Sequence, residues 1–168
     1  MTAEMPVKHL RIDNRLIHGQ VVVAWAKHEG IDTLIVANDQ VAADDFQRTI
    51  LVSVAPPGIR VLVLGVGDTL AYVRDPAHEH ENVFILCKTP EDALALHEGG
   101  LGLQEMNVGN MAFVVGSKKV SKSVFVTPEN VETFKKLSQS GVRLTCRMMP
   151  TEGKNDFMAM LRNAKALV

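Results

Sequence analysis

An open, mainly parallel α/β sheet of seven strands with helices on both faces is the fold class this sequence predicts. Three observations point there. Short β-rich apolar runs alternate with helix-like segments along the 168 residues, the pattern of consecutive βαβ units. The runs are apolar at nearly every position, as in strands covered on both sides. Prolines, glycines and capping residues stand at the joins, where helices must start and stop.

The elements follow in order. Val7–Asp13 reads as the first strand and Gly19–Glu29 as a helix, with Val22, Val23 and Ala26 among its apolar positions. Thr33–Ala37 is a second strand, closed by Asn38 and Asp39. Asp44–Val54 reads as a helix stopped by Pro56-Pro57-Gly58, because proline lacks the amide a helix needs. Arg60–Leu64 is a third strand, Asp68–Arg74 a short helix and Val83–Cys87 a fourth strand. Thr89 has the character of an N-cap, Pro90 suits the first helical position, and Glu91 and Asp92 favour the positive helix end. That helix runs to about His97 and stops at Gly99-Gly100. Gln104–Val108 is a fifth strand, with Gly109 beginning a loop, and Ser123–Val126 is a sixth. The stretch between these two lacks a clear helix, which allows an antiparallel strand there. Thr127-Pro128-Glu129 repeats the cap pattern before a helix to Ser140-Gly141. Val142–Arg147 is a seventh strand and Asn155–Ala166 a last helix. One domain, residues 1–168, accommodates them all.

Composition excludes several classes. The net charge is −1, with no sustained basic stretch, and aromatics make up 5%. Nucleic acid binding needs clustered cations or stacking platforms, so it is not expected. Met1–Lys8 lacks the apolar core of a signal peptide, and no apolar run approaches the ~20 residues of a membrane span. Cys87 and Cys146 sit in apolar runs and make no disulfide framework, which suits a reducing cytoplasm. No dinucleotide fingerprint or Walker sequence is present.

Ligands in open α/β sheets bind beyond the carboxyl ends of the strands. The loops to inspect are therefore Asp13–His18, Ala37–Gln40, Gly65–Asp68, Lys88–Pro90 and Val108–Met111. The first is the most informative, because Arg11, Asp13, Arg15 and His18 converge on one strand-to-helix turn. An imidazole there is a nucleophile near neutral pH, since much of it is uncharged. The helix start beneath it favours anions. Arg15 can add a charge-assisted contact to phosphoryl oxygens, and Asp13 can orient the imidazole by accepting its other N–H. The plainer alternative is a helix-start histidine beside a surface Arg15–Asp13 pair.

The remaining candidates each have a plain alternative. Asn38 and Asp39 can contact the first loop or a partner, or simply form an Asx turn. Gly109 and Asn110 can bring backbone amides to a phosphate, or form an ordinary turn. Thr89, after Lys88, reads as a cap in preference to a ligand. Cys87 lacks the arginine-ended P-loop of cysteine phosphocarriers, so it reads as structural. His78 and His80, two apart in an acidic loop, read as solvated residues, and no metal is expected.

The stretch RIDNRLIHGQV, Arg11–Val21, closely resembles the active-site motif of the IIB components of mannose–fructose–sorbose family phosphotransferase systems, usually written RIDDRLIHGQV. VANDQVAADD, VAPPGIRV, EGG with MNVGNMAF, and TFKKLSQSGV resemble later segments of the same family, so the likeness runs nearly end to end. The resemblance implies a mainly parallel sheet between helices. It implies that His18 accepts a phosphoryl group from a IIA phosphohistidine, carries it on Nδ1, and passes it to a sugar held by the membrane components IIC and IID. Arg15 would stabilise the group in transit. Arg11, Asn14, Gly19 and Gln20 fall within the motif and join the candidates for phosphate or partner contact. Asn14 stands where an acid is frequent; its amide still accepts a hydrogen bond. The implied protein is a cofactor-free phosphohistidine–sugar phosphotransferase of the cytoplasm, peripheral to the inner membrane through IIC and IID, without a fused IIA domain. A regulatory or binding homologue that does not support transport is the competing reading, and the intact Asp13, Arg15 and His18 favour transfer. VANDQV, CKTPED and NVGNM resemble N-acetylgalactosamine-type members, VAPPG and NMAF mannose- and sorbose-type ones, leaving the sugar open.

Overall fold

The computed structural model describes residues 5–167; Met1–Glu4, half of the segment read above for a signal peptide, and Val168 lie outside the described residues. The chain runs β1 (Val7–Asp13), α1 (Gly19–Glu29), β2 (Thr33–Ala37), α2 (Asp39–Ala42), α3 (Asp45–Ser53), β3 (Arg60–Leu64), α4 (Val66–Arg74) and β4 (Val83–Cys87). It continues with α5 (Pro90–Glu98), β5 (Glu105–Asn110), β6 (Lys118–Ser121), β7 (Val124–Val126), α6 (Pro128–Gln139), β8 (Arg143–Cys146), β9 (Asn155–Asp156) and α7 (Phe157–Asn163).

Seven strands form one sheet in the order β3-β2-β4-β1-β5-β8-β9. All neighbours are parallel except β9, which pairs antiparallel with β8. The chain winds outward from central β1 to β3, then returns across the sheet to β9. Strand alternation divides the core accordingly. Leu34, Val36, Phe84 and Leu86 pack with Val22, Trp25 and Ala26 of α1 and Val41 of α2 on one face. Leu10, Ile12, Ile35, Ile85 and Val108 pack with α5, α6 and α7 residues such as Leu96, Phe134 and Phe157 on the other. Helices therefore cover both faces, as the apolar strands required.

Three expectations are corrected. Val124–Val126 does not join the main sheet; it pairs with Lys118–Ser121 as a separate antiparallel hairpin, bridged to β5's continuation at Met111–Val124. The seventh sheet strand is instead Asn155–Asp156, taken above for the start of a helix; the Asp156 carboxylate caps α7 by accepting from the Ala159 amide. Gly109 does not begin a loop but lies inside β5, which extends to Asn110. The short α2 was not anticipated, because four residues carry too little periodicity to read.

Among the described residues no helix is long and apolar enough to cross a membrane. His78, weighed above for a metal, stacks on Tyr72 at 3.7 Å and contacts Glu81 through Nδ1 at 2.8 Å.

Candidate functional site

β1 carries a polar stripe through an apolar sheet. Leu10 and Ile12 enter one core, so His9, Arg11 and Asp13 face the other side, beneath α1. His9 stacks on Trp25 at 4.4 Å, and the Arg11 guanidinium lies 5.6 Å from the same indole. Arg11 is fully buried. Its Nη1 donates to Asn107 Oδ1 and, at 3.0 Å, to the Arg147 carbonyl; its Nη2 donates to Asp13 Oδ2 at 3.4 Å. Burial lowers its pKa, and the Asp13 carboxylate opposes that shift. Gly109 makes room for this group: a methyl built there would fall inside the Arg11 guanidinium. Glycine stands at this position for space, with Arg11 as the neighbour that needs it.

Asp13 is the hub. Only 1% exposed, its carboxylate accepts from Arg11, from the Arg15 amide at 3.0 Å, and from Arg15 Nε and Nη2 at 3.3 Å each. This corrects one expected role. The Asp13 carboxylate is taken up by two arginines and does not hydrogen-bond His18. What Asp13 orients is Arg15. One edge of the Arg15 guanidinium is fastened, while Nη1 has no partner among the described residues; the side chain is 32% exposed.

The loop then turns sharply. The Leu16 amide donates to the Asp13 carbonyl at 3.0 Å, and the Asn14 amide to the Asn110 carbonyl at 3.0 Å. The Asn110 side-chain amide also donates to Asn14 Oδ1, so these two candidates meet. Leu16 is left-handed at φ 60°, a strained conformation for leucine, and its buried side chain anchors it in the core below α1. Gly19 follows at φ 39°. His18 is exposed and is the N-cap of α1. No side chain caps this helix and no acid stands in its first turn. The amides of Gly19 and Gln20 thus open the helix toward solvent with the positive end of its dipole.

Asn38 and Asp39 serve elsewhere, beyond β4 from this loop. Asn38 caps α2 by accepting from the Val41 amide at 2.9 Å and donates to Asp92 at 2.9 Å. Asp39 accepts from the Val66 amide at 2.8 Å. The Asx alternative describes them. Arg11 likewise is an internal brace, out of reach of an exposed phosphate. Cys87 is buried at the end of β4, and burial pushes its thiol well above the ordinary range.

Sequence reasoning missed the loop after β8. Met148 places its sulfur 3.3 Å from Arg11 Nη2 and 3.4 Å from Arg15 Nη2. The Met148 carbonyl accepts from Trp25 Nε1 at 2.8 Å, and Arg147 lies over the indole at 4.9 Å. One signal was available. A lone Trp25 and a strand alternating His9, Arg11, Asp13 with apolar residues announce a buried polar stripe that some loop must cover.

Residues 7–168 match the family model described as PTS system sorbose subfamily IIB component. The chain belongs to this family. A sorbose-specific EIIB component of Lacticaseibacillus casei is 36% identical over 151 residues, covering 90% of this chain and 92% of that one. The mannose-specific EIIAB component of Escherichia coli (strain K12) is 39% identical over 151 residues, 90% of this chain and 47% of that one. The crystal structure of the IIBSor domain of the sorbose permease from Klebsiella pneumoniae superimposes with a TM-score of 0.90 at 32% identity, covering 94% of this chain and 96% of that one. The open helix start and the clamped arginine are therefore features of a phosphotransferase-system IIB component.

Proposed function

We propose that this IIB component carries its phosphoryl group on His18, receiving it from a phosphohistidine of a IIA protein and passing it to a sugar handled by membrane IIC and IID components. The observation that supports this is the pairing of an exposed His18 at the uncapped start of α1 with an Arg15 held ready by a buried Asp13.

In the first step the lone pair of a neutral His18 nitrogen attacks phosphorus as the donor's N–P bond breaks. In the second, a sugar hydroxyl oxygen attacks phosphorus, the His18 N–P bond breaks and returns its electron pair to the imidazole, and the hydroxyl proton passes to solvent. The transferred group is already activated, so stabilisation falls to Arg15 and the α1 amides, without a metal or cofactor. Arg15 Nη1 and the Gly19 and Gln20 amides are the donors available. Membership of a family with sorbose- and mannose-named relatives supports a small sugar as final acceptor and a place at the cytoplasmic face of the membrane.

The test is labelling from radiolabelled phospho-IIA. Wild type and Cys87→Ser should take acid-labile, alkali-stable label; His18→Ala should take none. Full labelling of His18→Ala would overturn the assignment.

A further inference from the structure

We propose that Met148 is a positioning residue for Arg15, its thioether sulfur fixing the guanidinium where the transferred phosphoryl group passes; this rests on the reading of Arg15 and His18 given above. Methionine usually fills irregular gaps in apolar cores. Met148 does not. It is half-buried, outside both core clusters, and its sulfur faces two guanidinium groups.

The residue is itself held firmly. Its carbonyl accepts from Trp25 Nε1 at 2.8 Å, and its amide donates to Glu152 Oε2 at 2.8 Å. Glu152 also accepts from the Met149 amide at 3.1 Å, and Arg147 Nη1 donates to the Pro150 and Glu152 carbonyls at 2.7 and 3.1 Å. The loop after β8 is thus tied to itself and to α1 before its sulfur reaches the arginines. Trp25 is fully buried, so its hydrogen bond to the Met148 carbonyl anchors the loop to α1.

The same two arginines that share the Asp13 carboxylate share the Met148 sulfur. A thioether is a weak acceptor, so binding strength is not its main contribution. Its effect is geometric. Arg15 Nη2 divides its donors between Asp13 and Met148, which restricts rotation of the fork and leaves Nη1 without a partner among the described residues. Electrostatic stabilisation of a moving phosphoryl depends on such pre-set donors, and small misplacements are costly.

Replacing the sulfur separates this role from packing. Met148→Leu keeps bulk and removes the acceptor; Met148→Gln keeps length and supplies an amide oxygen. Single-turnover transfer from phospho-IIA should fall about tenfold in Met148→Leu, well inside the range that misplacement produces. Met148→Gln should stay within about threefold of wild type, and both variants should melt with wild type. Adding Met148→Leu to Arg15→Ala should cost nothing more, because the residue acts through Arg15. Wild-type transfer by Met148→Leu would overturn the proposal. So would equal losses in Leu and Gln variants with lowered melting temperatures, or a full further loss in the double variant. Failure of the underlying reading looks different: Arg15→Ala alone would transfer normally, or His18→Ala would still take label.

Discussion

Two helices leave the carboxyl edge of the same sheet in opposite ways. α5 is closed by its own residues. Thr89 Oγ1 accepts from the Asp92 amide at 3.1 Å, the Asp92 carboxylate accepts from the Thr89 amide at 3.2 Å, Pro90 opens the helix, and Glu91 and Asp92 answer its dipole. α6 repeats the design with Thr127 and Asn130. α1 has no capping side chain and no acid in its first turn, with left-handed Leu16 before it and positive-φ Gly19 at its first position. At α5 and α6, local residues satisfy the opening amides. Under the proposed function, the open start of α1 beside His18 and the clamped Arg15 takes its negative charge from the phosphoryl group.

The largest expected effect comes from breaking the clamp on the open side. Asp13→Ala leaves the buried Arg11 guanidinium without its carboxylate, and uncompensated buried charges cost about 3–5 kcal/mol. Urea titration should show that loss. If the variant stays folded, its transfer should fall as well, because Arg15 loses its anchor. An Asp13→Ala protein as stable as wild type would mean that Arg11 finds another partner.

Arg15→Ala should lower single-turnover transfer by about 10²–10³, on the order of 3–4 kcal/mol at the barrier, with little change in melting. Arg15→Lys keeps the charge, loses the planar fork and should fall between. Transfer by Arg15→Ala within about threefold of wild type would reduce the Arg15–Asp13 contact to a structural pair.

Capping chemistry sharpens the comparison directly. Thr89→Ala should destabilise by about 1 kcal/mol and leave transfer unchanged. Gln20→Glu puts an acid into the open first turn of α1. It should stabilise the fold by about 0.3–1 kcal/mol and slow phosphoryl transfer severalfold, because a resident carboxylate occupies the field meant for the phosphoryl. Stability and transfer rising together in Gln20→Glu would sink the idea that α1 is left open for charge.

A further effect, read against pH and not against a substitution at the site, lies on the same polar stripe. Burial, then the charges of Arg11 and Arg147, lower the His9 pKa from 6.5 to about 3, and its Nε2 is buried without a partner among the described residues. Folded His9 stays neutral while unfolded His9 takes a proton as pH falls through 6.5. The stability this contributes is complete above 6.5 and is lost progressively toward pH 3, with a slope of at most about 1.4 kcal/mol per pH unit. His9→Phe keeps a ring against Trp25 and should flatten that acid limb in urea midpoints measured from pH 7 to 4. An unchanged slope would assign it to other groups.

Much of this was legible along the chain. The apolar strands, Pro90 and Pro128 after threonine caps, and the motif from Arg11 to Val21 are local signals, set by φ restriction, missing amides and side-chain periodicity. They determined the strand-and-helix alternation, the carboxyl edge as the place for chemistry, and His18 with Arg15 as its candidates. Val124–Val126 is a strand and the stretch before it does hold an antiparallel one, but the sheet they form, like the strand at Asn155–Asp156, was not legible because runs of two to four residues have no period; the partner decides what they become.

The division is sharpest at Gly109 and Asp13. From sequence, Gly109 reads as a turn glycine and Asp13 as a partner for His18. Only the pairing of β1 with β5, which sets Arg11 beside Asn107, turns the glycine into clearance for a guanidinium. Only the arrival of Met148, 133 residues beyond Arg15, completes the clamp around it. Local conformational preferences are written into neighbouring residues. The partner of a buried charge is chosen by whichever strand and loop the sheet brings within hydrogen-bond reach, and that is a property of the tertiary structure alone.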